Sequence, residues 1–261
     1  MGKDKLKPKW HTRLGLELGV ARYDLPGRFI KDKLVLDVAC GDGIGTAYLS
    51  SQGARAVCGG DISIDSLCHA RLLSGGENSF TALDACALPF RDGAFDVVVS
   101  IETIEHIQKQ EEYLGECRRV LKEGGYFICS TVNRDRFSHG RDNPWFPGHV
   151  KELNTQEFCQ LLARYFHQIE LYGLPFTEKY GTFGKFIYRH EDLLVNFLLS
   201  RSLSRRAIQP VIGWLFPRYH LINLDHASNI DLGQYSNRKY QAFPLDGSKA
   251  NPMFIIAMAK K

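Results

Sequence analysis

The stretch "LVLDVACGDGIG", from Leu34 to Gly45, decides the fold and contains the first candidate ligand site. A strand-like segment leads directly into three glycines at alternate positions, Gly41, Gly43 and Gly45, and a helix-like segment follows. Glycines at the start of a helix expose backbone amides to a ligand, because no side chains stand in the way. The stretch therefore predicts a strand, a loop and a helix that bind a dinucleotide, a nucleotide or another nucleoside.

Two acidic residues narrow the choice of ligand. Asp61 lies twenty residues beyond Gly41, at the predicted end of the next strand, where an acid commonly accepts hydrogen bonds from ribose hydroxyls. A dinucleotide loop reads G-x-G-x-x-G, whereas this loop reads G-x-G-x-G, and the strand residue Asp37 would repel a pyrophosphate. S-adenosylmethionine (SAM) carries an ammonium and a sulfonium and no phosphate, so it suits both features. The alternative is that Asp37 only bonds to the loop backbone and that the glycines form a tight turn.

Short apolar strands alternate with helix-length segments through the first half of the chain. This order is typical of an α/β protein with a doubly wound, mostly parallel sheet and helices on both faces. The seven predicted strands are Leu34 to Val38, Ala56 to Gly60, Ser79 to Leu83, Phe95 to Ser100, Tyr126 to Thr131, Gln168 to Leu171 and the terminal "NPMFIIAMAKK". The predicted helices are Ile44 to Ser51, Ile64 to Leu73, Gln108 to Lys122, which Gly124 and Gly125 end, and one that begins with an Asn154 and Glu157 capping box.

A long segment before the last strand departs from this alternation. It is rich in Leu, Ile, Phe and Trp and has a helical pattern, which Pro210 and Pro217 interrupt. We therefore predict a core domain at residues 1–173 and 252–261 and a largely helical insertion, or lid, at 174–251. Three roles for the insertion stay open: a cover over an acceptor pocket, the interface of a homodimer, or a peripheral membrane contact with a lipid-linked acceptor.

The composition excludes several classes of protein. The formal net charge of +4 is small and the basic residues are mostly scattered, so no nucleic-acid partner is expected. Seven cysteines without a C-x-x-C pair indicate reduced thiols and a cytoplasmic protein. No apolar stretch approaches the roughly 20 residues of a membrane span, so no transmembrane segment is predicted.

Four motifs together resemble one known family. "VLDVACGDGIG" is similar to the first motif of class I SAM-dependent methyltransferases. Three further segments follow in that family's order and spacing: "GGDIS" (59–63), "LDACALPFRDGAFDVVVSIETIEHI" (83–107) and "RRVLKEGGYFICST" (118–131). The resemblance implies a Rossmann-like seven-stranded sheet with an antiparallel last strand and SAM across the carboxyl ends of the first strands. "ARYD" at Arg22 and "NPWFPGHVKEL" (143–153) look most like methyltransferases of bacterial glycans and other secondary metabolites.

The resemblance also implies a set of cofactor contacts. In chain order these are Arg22 (methionine carboxylate), Asp37, Gly41 and Gly43 (methionine end), Asp61 (ribose), Ile62 (adenine), Asp84 (exocyclic amine), Ala85 beside it, and Ser100 (methionine portion). Two alternatives stay open, in which Arg22 is an ordinary surface guanidinium and Asp84 is a turn residue.

A general base is needed only when the acceptor holds its proton at the working pH, as a sugar hydroxyl or a phenol does. Histidine titrates in the required range, and two histidines fall after predicted strands. We expect His149 and His106 to be the candidate catalytic residues. The alternatives are that His149 only bonds to a backbone carbonyl and that His106 is a partner of Glu105 or a helix cap. No metal is predicted, because no group of His, Asp and Glu has a convincing ligand spacing.

These features predict a SAM-dependent methyltransferase that acts on a small molecule or a glycan, with oxygen as the favoured methylated atom and S-adenosylhomocysteine as the second product. A methyltransferase of quinones or other aromatic acceptors is the first alternative. A binding protein that keeps the fold without turnover is the second. A nicotinamide dehydrogenase is a third, and its loop spacing is absent.

Overall fold

The computed structural model describes residues 10–144, 146, 148–174, 221–223, 242–245 and 252–261. The predicted insertion at 174–251 therefore lies mostly outside the described residues, and its helical character and its role stay predictions. In the described ranges no helix has both the length and the apolar character needed to cross a membrane. All seven cysteines fall in these ranges and are free thiols.

Helices and strands alternate along most of the described chain. In chain order they are β1 (Trp10–Thr12), α1 (Arg13–Gly27), β2 (Leu34–Val38), α2 (Ile44–Ser51), β3 (Ala56–Asp61), α3 (Ile64–Leu73), β4 (Ser79–Ala82), β5 (Phe95–Ile101), a 3₁₀ turn (Ile104–His106), α4 (Gln110–Val120), β6 (Leu121–Val132), α5 (Arg134–Phe137), α6 (Thr155–Leu162), β7 (His167–Leu174), β8 (Leu221–Asn223), β9 (Phe243–Pro244) and β10 (Phe254–Lys260).

The main sheet, as far as the described residues show it, has the order β4-β3-β2-β5-β6-β10-β7-β9. The first five strands in this order, β4, β3, β2, β5 and β6, run parallel to one another. Strand β10 is antiparallel to both β6 and β7. The predicted mostly parallel α/β sheet with an antiparallel last strand is confirmed. The two-residue strand β9 adds an edge to the seven predicted strands, and β1 pairs with β8 in a separate antiparallel sheet.

Two hydrophobic cores cover the two faces of the sheet. Consecutive residues of a strand point to opposite faces, so Val97 and Val99 lie in one core and Val98 lies in the other. The first core also contains Tyr48 of α2, and the second contains Phe158 of α6. This division is the doubly wound packing that the alternation of strands and helices predicts.

The capping box at the start of α6 forms as the sequence predicts. The Asn154 side-chain oxygen accepts a hydrogen bond from the Glu157 amide at 2.9 Å, and the Glu157 carboxylate accepts one from the Asn154 amide at 3.0 Å. The predicted end of α4 is wrong. Leu121 already has extended dihedral angles, so the helix ends at Val120 and Gly124 lies within the first residues of β6.

Helix α1 is the largest described element that the sequence analysis did not predict. Its buried residues include Leu16, Leu18 and Val20 at alternate positions, which is the spacing of a half-buried strand and not of one helical face. The helix nevertheless places Tyr23 against Asp37, beneath the glycine loop, and Arg22 beside Glu102, so it contributes to the candidate site.

Candidate active site

The glycine loop between β2 and α2 has one open position and one packed position. Gly41 and Gly43 both have positive φ values, +56° and +80°, which favour glycine. A Cβ on Gly41 would meet no described heavy atom within 4 Å apart from its chain neighbours, whereas a Cβ on Gly43 would lie 2.6 Å from the Ala70 Cβ. The loop therefore offers its backbone to a ligand at Gly41, while Gly43 lets the loop pack against α3.

Asp61 joins the end of β3 to this loop. One carboxylate oxygen accepts a hydrogen bond from the Gly41 amide at 2.8 Å, and the other accepts one from the Ser63 amide at 2.8 Å. The side chain is partly exposed, and each carboxylate oxygen can accept a further hydrogen bond. Ile62, the next residue, is 77 % exposed and presents an apolar surface beside the carboxylate. This pair combines acceptors for hydroxyls with a surface that a planar base could cover.

Asp37 lies beneath the loop and does not face it. Its carboxylate is fully buried and accepts hydrogen bonds from the Thr46 hydroxyl at 2.7 Å and from the Tyr23 hydroxyl at 3.1 Å. Burial raises the pKa of Asp37 to about 7, although the two hydroxyls act in the opposite direction. The sequence analysis did not identify Tyr23 and Thr46 as partners, because nothing in their local pattern indicates a buried acid nearby.

Asp84, Ala85 and Ser100 occupy the same edge of the sheet as Asp61. The Asp84 carboxylate is exposed and accepts a hydrogen bond from the Cys86 amide at 2.8 Å, so the turn contact named as the alternative is present. Ala85 is buried beside it. The Ser100 hydroxyl is buried and donates to the Val38 carbonyl at 3.0 Å, which links β5 to β2. Asp84 therefore keeps an oxygen that faces solvent, whereas the Ser100 side chain is committed to the sheet.

Arg22 is buried, so the alternative of an ordinary surface guanidinium is wrong. Its guanidinium lies over the Phe254 ring, 4.1 Å from the ring centroid, and its Nε lies 3.8 Å from a Glu102 carboxylate oxygen. Glu102 directly follows β5 and has a positive φ of +52°, which is strained for a residue with a side chain. Its carboxylate accepts a hydrogen bond from the Ser130 hydroxyl at 2.7 Å, so it joins the ends of β5 and β6.

The two candidate histidines come together beside these strand ends. Their ring centroids are 4.8 Å apart in an edge-to-face arrangement. The Nδ1 atom of His149 lies 2.7 Å from a Glu152 carboxylate oxygen, and the Nδ1 atom of His106 lies 2.8 Å from the Gly148 carbonyl oxygen. With each Nδ1 atom as the donor to these oxygens, Nε2 is the ring nitrogen that stays available to a further partner. A hydrogen bond to a backbone carbonyl was the alternative for His149, but in the structure His106 makes this contact and His149 bonds to a carboxylate.

Glu105 lies next to the histidines and is almost completely buried. One of its carboxylate oxygens accepts a hydrogen bond from the Thr131 hydroxyl at 3.0 Å. Burial and the neighbouring Glu102 carboxylate raise the pKa of Glu105 well above its ordinary value. A carboxylate oxygen of Glu105 and one ring nitrogen from each of His106 and His149 lie within 4.8 Å of one another. The sequence analysis predicted no metal-ligating group, yet the fold assembles this candidate set from two separate motifs.

Comparisons with known proteins identify the family of the chain. A family model described as "Methyltransferase domain" matches residues 36–129. The chain is 35 % identical over 187 residues to the "Ubiquinone biosynthesis O-methyltransferase" of Ruegeria sp. (strain TM1040), an alignment that covers 65 % of this chain and 73 % of that protein. The chain belongs to the class I SAM-dependent methyltransferases.

Two further proteins described as SAM-dependent methyltransferases extend the comparison. A "Probable S-adenosylmethionine-dependent methyltransferase" of Mycolicibacterium smegmatis is 38 % identical over 141 residues, which cover 52 % of each chain. The chain thus spans about half the length of the first curated relatives that it matches. A solved structure from Thermotoga maritima, described as a SAM-dependent methyltransferase, "possible histamine N-methyltransferase", has a TM-score of 0.60 at 15 % identity and covers 95 % of this chain and 93 % of its own. That likeness supports the fold.

SAM is the cofactor of this family, and the site's residues fit it. The open side of Gly41 leaves room for a ligand against the backbone, Asp61 keeps acceptor capacity for two hydroxyls, and Ile62 supplies exposed apolar surface. The carboxylates near the loop suit a cationic ligand better than a pyrophosphate. The individual cofactor contacts that the resemblance implies, from Arg22 to Ser100, stay predictions.

Proposed function

We propose that the chain transfers the methyl group of SAM to a hydroxyl oxygen of a small-molecule or glycan acceptor. One observation carries the proposal: the open glycine loop, held by Asp61, lies at the same sheet edge as a histidine whose Nδ1 atom is fixed by a buried carboxylate. Parallel neighbouring strands bring their carboxyl ends to one edge, so a cofactor on the loop and an acceptor at the histidines would be adjacent.

The chain's residues would hold the cofactor by its adenosine and methionine ends. Asp61 would accept hydrogen bonds from the ribose hydroxyls, Ile62 would pack against the adenine, and the exposed oxygen of Asp84 would accept from the exocyclic amine. At the other end, Gly41 would approach the methionine portion through its backbone, and Arg22 would attract its carboxylate. Asp37 would support the loop from beneath without touching the cofactor, because both of its oxygens are engaged by protein hydroxyls.

When bound, SAM supplies a methyl group on a cationic sulfur, a leaving group that needs no further activation. The acceptor oxygen would take this methyl group as the carbon–sulfur bond breaks, and the neutral thioether would leave. His149 would take the acceptor's proton at Nε2, and the Glu152 carboxylate would stabilise the resulting imidazolium through Nδ1. Holding the acceptor against the cofactor would add to the acceleration, since well-oriented reactants gain up to about 7 to 11 kcal/mol.

A phenol or quinol acceptor is the second candidate, and two observations favour it. The rings of Phe146 and Phe137 lie 4.9 Å and 5.4 Å from the His149 ring, so aromatic surfaces line the proposed proton acceptor. The Ruegeria relative is named for O-methylation in ubiquinone biosynthesis. A flat aromatic acceptor would stack on these rings, whereas a glycan would need hydroxyl-binding side chains in the same place.

Calorimetry with SAM tests the binding half of the proposal. Asp61→Ala removes the ribose acceptors and the support of the Gly41 amide, so we expect at least a tenfold loss of SAM affinity. Asp92→Ala is the matched control, because that side chain is 81 % exposed and pairs only with Arg119 among the residues described. Unchanged affinity in Asp61→Ala, or no SAM binding by the wild-type chain, would remove the proposal.

Transfer of a labelled methyl group to two acceptor panels tests the second half. One panel contains catechols and hydroquinones, and the other contains glycosides with free hydroxyls. Label in the hydroxyl oxygens of either panel supports the reaction and selects the acceptor class. SAM binding without transfer to any member of either panel would favour the alternative of a binding protein without turnover.

A further inference from the structure

We propose that Glu105, His106 and His149, here called the His–Glu cluster, bind one divalent transition-metal ion. A carboxylate oxygen and two ring nitrogens lie within 4.8 Å of one another. Nitrogen and oxygen ligands about 2.0 to 2.2 Å from one ion are themselves about 3 to 4 Å apart. A small closing movement would therefore complete the set, and the exposed His106 ring is free of core packing that would oppose it.

An unsatisfied carboxylate oxygen points independently to a cation. Glu105 is only 1 % exposed, and while one oxygen accepts from Thr131, the other is buried with no hydrogen-bond partner among the described residues. Arg22 contributes a favourable charge interaction with Glu105 without satisfying this oxygen. A buried carboxylate oxygen without a donor costs free energy, and a bound metal ion would provide the missing positive partner.

The hydrogen bonds of the two histidines prepare them as ligands. His149 donates from Nδ1 to the Glu152 carboxylate, and His106 donates from Nδ1 to the Gly148 carbonyl. A metal-binding histidine typically donates its second ring N–H to a carboxylate or a backbone carbonyl, which orients the ring and makes the other nitrogen more basic. The His–Glu cluster has one example of each arrangement, so the protein holds both rings through Nδ1 and leaves Nε2 of each ring available to an ion.

The ligand types select the class of ion. Two imidazoles and one carboxylate suit Zn²⁺, Fe²⁺, Co²⁺ or Mn²⁺ better than Ca²⁺ or Mg²⁺, which prefer oxygen ligands. Three protein ligands leave at least one coordination position open, as in catalytic metal sites. A bound ion would therefore have an open position at the edge where β5 and β6 end, which is where the acceptor is proposed to lie.

The catalytic role of the ion rests on the proposed function, whereas its binding does not. An acceptor hydroxyl bound at the open position would have a lowered pKa, because the ion stabilises the deprotonated oxygen. His149 would then be a ligand, and the proton would leave the acceptor to solvent instead of to His149 Nε2. A catechol or hydroquinone oxygen would coordinate well in this arrangement.

Titration of the chelator-treated chain with Co²⁺ tests the site without requiring activity. We expect one equivalent of Co²⁺ per chain, seen by calorimetry and by the visible absorption of the coordinated ion. Glu105→Gln and His106→Asn should each weaken binding at least tenfold, and Glu152→Gln, which disturbs the orientation of His149, should weaken it about 10- to 100-fold. The matched controls are Glu112→Gln and His167→Asn, both exposed and outside the cluster, and their affinities should not change.

Three results would overturn the inference: no stoichiometric Co²⁺ binding, binding that survives both Glu105→Gln and His106→Asn, or equal losses in the two controls. Should Glu105→Gln fail to fold by circular dichroism, His106→Asn decides, because its ring is exposed. SAM calorimetry on the same samples separates the two proposals. SAM binding without Co²⁺ binding removes the metal site alone, and Co²⁺ binding without SAM binding removes the proposed function.

Discussion

Three glycine-to-alanine variants separate the packing of the candidate loop from its contact with a ligand. Gly43, Gly41 and Gly76 all have positive φ values, +80°, +56° and +89°, so an alanine at each position carries the same kind of backbone strain. Only the surroundings of the new methyl group differ. At residue 43 the Cβ would lie 2.6 Å from the Ala70 Cβ, whereas at 41 and 76 no described heavy atom lies within 4 Å beyond the chain neighbours.

These distances give the expected size of each effect. Left-handed backbone costs alanine about 1 to 2 kcal/mol, and forcing a methyl group into packed surroundings costs about 1 to 3 kcal/mol more. Gly41→Ala and Gly76→Ala should therefore lose about 1 to 2 kcal/mol of unfolding free energy, and Gly43→Ala about 2 to 5 kcal/mol. Urea unfolding measures these values, with the slope of each transition compared to verify that the unfolded states are equivalent.

Calorimetry with SAM then distinguishes the two variants that have open surroundings. A methyl group on Gly41 would occupy the space proposed for the cofactor, so Gly41→Ala should bind SAM at least tenfold more weakly than Gly76→Ala at similar stability. Equal stability of Gly43→Ala and Gly76→Ala would refute the packing argument. Equal SAM affinity of Gly41→Ala and Gly76→Ala would refute the position of the ligand.

Two further predictions concern the stability of the folded chain. The pKa of Asp37 is raised from 3.8 to about 7, so the folded chain keeps a proton that the unfolded chain releases, and this carboxyl lowers stability as the pH rises from about 4 to 7. Asp37→Asn should remove this loss, which amounts to about 3 to 4 kcal/mol of unfolding free energy between pH 4 and 7. Urea unfolding at a series of pH values measures it. The same pH dependence in the variant and the wild type would contradict the assignment. Asn154→Ala removes the cap of α6 and should cost about 1 kcal/mol of unfolding free energy, whereas Asn143→Ala, at an exposed loop position, should cost little, and equal losses would contradict the capping role.

The elements around the candidate cofactor loop could be predicted because their signals are local. The predicted bounds of β2, α2 and α3 agree with the structure, since each is a short apolar or amphipathic segment with a charged residue, a glycine or a serine directly before it. The end of α4 was wrong because Leu121 becomes extended to pair with Phe95 of β5, and this pairing overrides the glycine signal three residues later. The two-residue strand β9 has no sequence pattern of its own.

The candidate site could be predicted only as a set of residue types near strand ends. The loop spacing and the position of Asp61 indicated a ribose-containing ligand, and the direct contact between Asp61 and the Gly41 amide is visible only in the structure. Glu152 was missed, although it lies three residues after His149, because such a spacing occurs often without a hydrogen bond. Tyr23 and Thr46 could not be assigned to Asp37, since one of them lies on a helix that the periodicity did not predict.

The sequence by itself determined the alternation of strands and helices, the glycine loop and the family, because these depend on residues that are close along the chain. Only the tertiary structure decided which distant side chains meet. Glu105 and His106 follow β5 and His149 follows β6, and they come together because these two strands are parallel neighbours whose carboxyl ends lie side by side. The order of strands in the sheet is a property of the whole core, and no local pattern of residues contains it.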